Sequence, residues 1–101
     1  MATNVSGQAI FNCTINTTDF MTWSYATHCE TASGISLTGG NCELYSSNEA
    51  HYKIEKTSTS VCNLIVFNAT MSLGGCYVCI EGAGTIGRIL QAMLVVVGKQ
   101  F

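Results

Sequence analysis

Apolar and polar residues alternate along most of this chain with a period of two. In residues 8–15, QAIFNCTI, one series of alternate positions holds Ala9, Phe11, Cys13 and Ile15. The same alternation recurs in four further segments, FMTWSY, HYKIEK, CNLIVF and CYVCIE, and RILQAMLVVV is predicted to be a last, long strand. Period two is typical of strands with one buried face, and clusters of Thr, Ser, Asn and Gly separate the runs as turns require. The pattern predicts an all-β fold, a sandwich or barrel of short strands.

The composition is that of a folded, single-domain protein. The chain has 101 residues, of which 48% are hydrophobic and 10% are charged, so it can form one core and is not a disordered segment. Four Lys and Arg residues and a net charge of −2 provide no basic stripe. We therefore expect no nucleic-acid partner.

Cysteines and glycosylation sequons indicate an oxidising, extracellular setting. Six cysteines in a chain of this size are typical of a secreted domain held by disulfides. Four N-x-S/T sequons agree with this, and their acceptors are Asn4, Asn12, Asn16 and Asn68. No apolar run approaches the roughly 20 residues that span a bilayer. We expect residues 1–101 to be a single N-terminal ectodomain fragment of a secreted or cell-surface glycoprotein, with the transmembrane segment outside it.

The most informative motif is Cys76-Tyr77-Val78-Cys79, for which three explanations compete. A redox C-x-x-C usually opens a helix, whose N-terminus lowers the thiol pKa, but the flanks here predict a strand. Residues three apart on a strand point to opposite faces, so these cysteines are poorly placed to bond to each other. Zinc is disfavoured because there is no second C-x-x-C, and because His28 and His51 lack ligand spacing. The third explanation is a sandwich whose sheets are joined by a disulfide.

The order of Cys13, Trp23 and Tyr77-x-Cys79 is that of an immunoglobulin sandwich. That fold places a cysteine on strand B, a tryptophan on strand C and Tyr-x-Cys on strand F. We expect Cys13–Cys79 to join two sheets about 10 Å apart, with Trp23 packed against it. The Tyr77 hydroxyl should bond to backbone at the corner between strands E and F. The gap between the two cysteines leaves room for extra C′ and C″ strands, so a variable-type (V-set) domain is predicted.

The segment from strand E to strand F resembles the OX-2 membrane glycoproteins, ligands of an inhibitory receptor on myeloid cells. It reads LIVFNATMSLGGCYVC, residues 64–79, with an apolar strand, an aromatic residue, an N-x-T sequon and G-C-Y-x-C. The cysteine before the tyrosine, Cys76, is the specific part. The final strand is also similar, so the resemblance covers residues 64–97. It implies an extracellular, immune-modulating domain that binds the OX-2 receptor, itself an immunoglobulin-superfamily protein.

The chain departs from that family in three places. Variable domains usually have Asp six residues before the strand F cysteine, where this chain has Leu73, so the usual ion pair with strand D is absent. The family's last strand often carries a cysteine where Met93 stands. The segment between Cys13 and Trp23 is short. These departures indicate a diverged herpesvirus homologue rather than a host protein.

Four further cysteines leave two disulfide pairings open. Cys62 and Cys76 should start strands E and F at opposite ends of the sandwich, about 20 Å apart, which is too far for a disulfide. The pairing Cys29–Cys76 with Cys42–Cys62 is therefore favoured. The alternative is a local Cys29–Cys42 bridge, with Cys62 and Cys76 left free.

The sequence contains no recognisable catalytic or cofactor-binding motif. It has no G-x-S-x-G, no carboxylate pair at a useful spacing and no histidine beside a nucleophile. The glycine-rich segment GAGTIG, residues 82–87, lacks the ending of a phosphate-binding loop and is typical of a hairpin turn between strands F and G. We expect no enzymatic activity, and no cofactor, metal or small-molecule substrate.

The function that we expect is protein binding through the exposed face of strands G, F, C and C′. Because Trp23, Tyr77 and Cys79 point inward, their neighbours point outward, and glycans on the other sheet should largely spare this face. Arg88 lies beside the predicted F–G turn, and arginine is enriched at the hot spots of protein interfaces. The alternative function is a homophilic or heterophilic cell-adhesion domain that uses the same face and self-associates weakly. The predicted partner-binding residues are Thr22, Ser24, Val78, Ile80, Gly84, Thr85, Ile86 and Arg88.

Overall fold

Two facing β-sheets form the structure, a computed structural model that describes residues 1–14, 21–29, 35–58, 60–81 and 88–98. For residues 81 and 88–90 it describes the backbone alone. Two single 3-10 turns, Ser46–Asn48 and Met71–Leu73, also occur in these ranges. The strands are β1 (Ala2–Asn4), β2 (Ala9–Phe11), β3 (Met21–Ala26), β4 (Ile35–Ser36), β5 (Tyr52–Ser58), β6 (Val61–Val66), β7 (Gly75–Glu81) and β8 (Arg88–Val97).

The strand order is that of a variable-type immunoglobulin domain. One sheet has the order β1-β8-β7-β3-β4 and the other has the order β2-β6-β5. β1 runs parallel to β8, whereas the other neighbouring strands are antiparallel. In the usual lettering this is A′-G-F-C-C′ facing B-E-D. The predicted all-β, variable-type sandwich is confirmed.

Burial alternates along the strands as the sequence pattern predicts. On β6, Cys62, Leu64 and Val66 are buried, whereas Asn63 and Ile65 between them are half-buried. Each large apolar side chain removed from water contributes about 1.5–3 kcal/mol, so a strand with one such face is held against the facing sheet. The largest apolar side chains that are fully buried in the shared core are Trp23, Tyr77, Met21, Leu64, Leu94 and Val66.

A disulfide between Cys13 and Cys79 crosses the centre of this core. Its Cα atoms are 6.5 Å apart and it joins the segment after β2 to β7 in the facing sheet. Trp23 is the direct cross-strand neighbour of Cys79, so the indole packs beside the bond. The Trp23 Nε1–H donates to the Cys62 carbonyl oxygen at 3.0 Å, which ties β3 to β6 across the sandwich.

The other four cysteines form Cys29–Cys76 and Cys42–Cys62, the pairing that strand topology favoured over a local Cys29–Cys42 bridge. Their Cα separations are 5.1 Å and 6.6 Å, inside the usual range for disulfides. All six cysteines are therefore paired. The Cys29–Cys76 bond links the segment after β3 to β7 within one sheet. The Cys42–Cys62 bond links the segment after β4 to β6 in the other sheet.

β4 is the C′ strand, and the described segment that follows it forms no C″ strand. Residues 37–51 are all described. They form two isolated bridges, Thr38 with Leu44 and Asn41 with Met21, and a 3-10 turn, with no further strand. Cys42 explains this course: it has a left-handed backbone with φ 58° and is bonded to β6, while its N–H donates to the Met21 carbonyl at 2.9 Å. The chain is thereby drawn across the end of the sandwich instead of extending the sheet.

The glycine before Cys76 is required by its surroundings. Gly75 begins β7 with φ 149°, a conformation that side chains rarely adopt. A Cβ atom there would lie 2.7 Å from the Ala26 carbonyl oxygen and 2.8 Å from the Tyr25 ring. Neither group can move freely, because Ala26 is in a central strand and the Tyr25 hydroxyl donates to the Gly74 carbonyl at 2.6 Å.

Replacing Gly75 by Ala should therefore destabilise the domain by about 2 kcal/mol or more, through backbone strain and overpacking. Gly40→Ala is the matched control, since an added Cβ there meets nothing within 4 Å, and it should change stability by less than about 0.5 kcal/mol. Urea unfolding with the disulfides intact measures both. Equal midpoints for the two variants would contradict the steric argument.

Candidate interaction face

The solvent side of the five-stranded sheet, here called the outer face, brings together four of the predicted binding residues. Thr22 lies directly opposite Ile80, and Ser24 lies directly opposite Val78, on the neighbouring strands β3 and β7. All four side chains are half-buried, while the residues between them face the core. They form one contiguous group, the central patch.

The other four predicted residues are Gly84, Thr85, Ile86 and Arg88. Gly84, Thr85 and Ile86 fall outside the described residues. Arg88 is the first residue of β8, and its backbone lies opposite that of Glu81. The structure describes no side chain at either position, so the proposed role of Arg88 stays a prediction.

A second group of outer-face residues was missed by the sequence analysis. Met93, Val95 and Val97 occupy alternate positions on β8 and are 45%, 53% and 45% exposed, whereas the intervening Leu94 and Val96 are buried. We call Met93, Val95 and Val97 the β8 stripe. The segment AMLVVV is apolar at both parities, so periodicity alone could not tell which series faces outward.

The outer face is uncharged at its described outward positions. Binding by such a surface depends on apolar contact and hydrogen bonding and should respond weakly to salt, because screening acts on charged pairs. The outward side chains described on β1, β3, β7 and β8 are Ala2, Asn4, Thr22, Ser24, Ala26, Cys76, Val78, Ile80, Gln91, Met93, Val95 and Val97.

The disulfide Cys29–Cys76 lies on this face between the central patch and the β8 stripe. Cys76 is fully buried although its position in β7 is an outward one, because the bond to Cys29 covers it. Met93 is its neighbour on β8, and the Met93 Sδ atom lies 3.5 Å from the Cys29 Sγ atom. A disulfide sulfur carries no hydrogen, so this is a van der Waals contact. Cys76 therefore finds its disulfide partner in Cys29, although Met93 stands at the cross-strand position.

Three tyrosines support β7 from beneath the outer face. The Tyr77 hydroxyl donates to the Leu73 carbonyl at 2.7 Å, which is the predicted bond at the corner between β6 and β7. It also lies 2.9 Å from the Tyr52 hydroxyl, and since its one proton is used, Tyr52 is the donor. The Tyr25 hydroxyl donates to the adjacent Gly74 carbonyl. Leu73, where related domains carry Asp, thus acts through its backbone.

Burial raises the pKa of both Tyr52 and Tyr77 above the ordinary tyrosine value. For Tyr77 the loss of hydration is reinforced by the hydrogen bond and the charge interaction with Tyr52. For Tyr52 the loss of hydration outweighs the hydrogen bond with Tyr77, which acts in the opposite direction. Both hydroxyls therefore stay protonated in the folded domain well into the alkaline range.

One of the exposed sequon acceptors, Asn4, lies on the outer face. Asn12 is exposed beyond β2 on the three-stranded sheet, and Asn68 is exposed in the turn between β6 and β7 with φ 52°. Asn4, in contrast, lies on β1 directly beside Val97, on the outer face itself. The expectation that glycans spare this face is therefore wrong for Asn4. Asn16 falls outside the described residues.

One concave feature among the described residues is a cleft of about 300 Å³ between β2 and β8. Phe11, Trp23 and Ala92 contribute to its walls, and no charged side chain lines it. The described residues also contain no group of His, Cys, Asp and Glu side chains that could hold a metal ion. Within those same ranges, no helix is long and apolar enough to cross a bilayer.

Comparison with known proteins supports the fold. No family model matches the chain, and no curated protein matches its sequence. Among solved structures, the second immunoglobulin domain of the mouse polymeric immunoglobulin receptor has a TM-score of 0.76 at 14% identity, covering 99% of this chain and 96% of that one. Tim-2 has a TM-score of 0.74 at 18% identity, covering 100% and 93%. The ZIG-8–RIG-5 IG1–IG1 heterodimer has a TM-score of 0.70 at 17% identity, covering 95% and 79%.

These three structures share the immunoglobulin fold with the chain. At such identities the similarity identifies the architecture and does not identify a partner or a source. Neither the OX-2 family nor a herpesvirus origin has support from the sequence comparisons.

Alkaline titration should reveal two tyrosines, Tyr52 and Tyr77, that ionise late. Tyr52 and Tyr77 should resist ionisation near pH 10 while the domain is folded, and absorbance at 295 nm follows this directly. Since their folded pKa values are raised, their contribution to stability is constant below about pH 10 and is lost as the pH rises beyond it. Tyr77→Phe should remove late-titrating absorbance. Full ionisation of the folded protein in one step near pH 10 would contradict this.

Proposed function

We propose that the chain is an extracellular immunoglobulin-type binding domain whose outer face contacts a protein partner. The observation that carries the proposal is that the outward side chains described on the outer face are uncharged, with half-buried apolar side chains at Val78 and Ile80 among them. Outward apolar residues on a central strand are available to a partner at little desolvation cost. Neighbouring hydroxyls at Thr22 and Ser24 add hydrogen-bonding capacity without charge.

An extracellular site fits the covalent structure of the domain. Three disulfides require an oxidising compartment to form and persist, and three described sequon acceptors are exposed. We infer that residues 1–101 form the N-terminal domain of a longer surface glycoprotein, with its membrane anchor elsewhere. Binding is favoured over catalysis, since the described residues include no cluster of groups suited to acid–base or nucleophilic chemistry.

The partner that we propose is the OX-2 receptor, an immunoglobulin-superfamily protein on myeloid cells. The support is the resemblance of residues 64–97 to the OX-2 glycoproteins, above all Cys76 before Tyr77 in G-C-Y-x-C. In the structure that cysteine helps to hold the outer face through its bond to Cys29. The function would then be immune modulation by a ligand mimic, from a herpesvirus. The ZIG-8–RIG-5 structure is one case in which two immunoglobulin domains bind each other.

A second candidate is a cell-adhesion domain that binds its own kind or a related domain. The observation that favours it is the absence of charge on the described outer face, because two copies placed face to face would meet no like-charge repulsion. This function predicts concentration-dependent dimers and no need for a myeloid receptor.

Val78→Lys should weaken binding to immobilised OX-2 receptor ectodomain by about tenfold or more, because a buried, unpaired ammonium is costly at an interface. Surface plasmon resonance provides the measurement. Ile65→Lys is the matched control: Ile65 is equally half-buried in the middle of a strand, but it faces solvent on the other sheet. It should leave the affinity unchanged.

The outcomes separate the proposals. Saturable binding lost in Val78→Lys and kept in Ile65→Lys supports the receptor and the face together. Equal affinity of the two variants would remove the central patch from the site. No binding by correctly disulfide-bonded wild-type protein would overturn the receptor proposal and leave adhesion to be tested by sedimentation.

A further inference from the structure

The acceptor Asn4 is held on the outer face by its two neighbours in the chain. β1 pairs with β8 so that Asn4 lies beside Val97 and Thr3 lies beside Val96. Val96 is buried, and Val5 on the other side of Asn4 packs against the core. Since side chains alternate along a strand, the Asn4 amide projects to the solvent side, next to the outward-facing Val97.

The local backbone at Asn4 is that of an accessible sequon. The Gly7 N–H donates to the Asn4 carbonyl at 2.8 Å, so the sequon Asn4-Val5-Ser6 ends a strand and enters a tight turn. Ser6 is exposed, has a left-handed backbone with φ 68° and is fixed by its N–H bond to the Ala69 carbonyl at 2.7 Å. Exposed turns of this kind are where N-linked glycans are carried in secreted proteins.

The surface next to Asn4 is the β8 stripe. Val97 is its direct neighbour, about 5 Å away across the strand spacing, and Val95 and Met93 follow at about 7 Å intervals along β8. Ala2, beside Val95, continues the apolar surface onto β1. The stripe is therefore the first surface that a bulky group attached to Asn4 meets on the outer face.

We propose that an N-linked glycan on Asn4 covers the β8 stripe, and that without this glycan the stripe pairs with the stripe of a second copy of this chain. A row of three exposed apolar side chains on one strand is an unfavourable surface in water unless something covers it. The side chains of the stripe are uncharged, so they neither attract a charged partner nor repel those of a second copy. The charge recorded beside them is the Met1 ammonium, which donates to the Met93 carbonyl oxygen at 3.0 Å, and the net charge of the chain is only −2. When no glycan covers the stripe, two copies related by a two-fold axis can therefore cover it by packing their stripes against each other.

This inference rests on the secretory origin proposed above but not on the identity of the receptor. The central patch lies on β3 and β7, and the β8 stripe lies between it and β1. Glycosylation of Asn4 would confine the available surface to the central patch and the strands beyond it. The modification would then act as a device that keeps the domain monomeric while leaving the central patch open.

The test is sedimentation velocity of the protein secreted from mammalian cells, with glycan occupancy determined by mass spectrometry. Wild type should be occupied at Asn4 and monomeric. Asn4→Gln should self-associate, so that its weight-average mass rises with concentration towards about twice the monomer mass, as expected for a two-fold dimer. Ser6→Gly should behave in the same way: it removes the sequon, keeps Asn4 and suits the positive φ of that position.

Two further variants make the result specific. Asn68→Gln removes a sequon from the turn between β6 and β7 and should stay monomeric. Asn4→Gln combined with Val95→Lys should return to monomer, because the charge opposes burial of the stripe. An unmodified Asn4 in the secreted protein would overturn the inference, as would monomeric Asn4→Gln and Ser6→Gly, or dimers that survive Val95→Lys. None of these readouts uses the receptor, so failure here and failure of receptor binding are distinguishable.

Discussion

The bond between Cys13 and Cys79, with Trp23 packed beside it, is the constraint on which the rest of the structure depends. A chain of this length buries a limited apolar area, so its two sheets need a covalent link as well as a core. The two cysteines are 66 residues apart, and closing so long a loop stabilises the folded state by about 4 kcal/mol in the chain-entropy model. The same bond fixes which side of β7 faces inward, and that choice places Val78 and Ile80 on the outer face.

The sequence predicts a strand and its buried face where the pattern of residues indicates only one side that can be buried. In β6, Leu64 and Val66 alternate with half-buried residues, and the order of Cys13, Trp23 and Tyr77-x-Cys79 identifies the fold, so strands and core could be predicted. The course of residues 37–51 could not, because it depends on a left-handed Cys42 and a bond to a distant strand. The pairing of Cys29 with Cys76 and of Cys42 with Cys62 could be favoured from sequence, because that prediction depends only on where the strands begin and end.

The candidate site divides in the same way. Parity from Trp23 and Tyr77 placed the four residues of the central patch, and their cross-strand pairing brings them together. The β8 stripe escaped prediction because every residue of AMLVVV is apolar, and the register with β7 decides which series is exposed. The place of Asn4 on the outer face also depends on a parallel pairing between β1 and β8 that no local pattern indicates.

The central claim is that the outer face of the five-stranded sheet is the surface that meets a partner. Hydroxyl-radical footprinting of the glycosylated domain, with and without saturating OX-2 receptor ectodomain, tests it most directly because it reports side-chain exposure. The account predicts lower oxidation at Val78 and Ile80 in the complex, with Ile10 and Tyr45, both exposed elsewhere, unchanged. Protection at Ile10 or Tyr45, with Val78 and Ile80 unaffected, would contradict it.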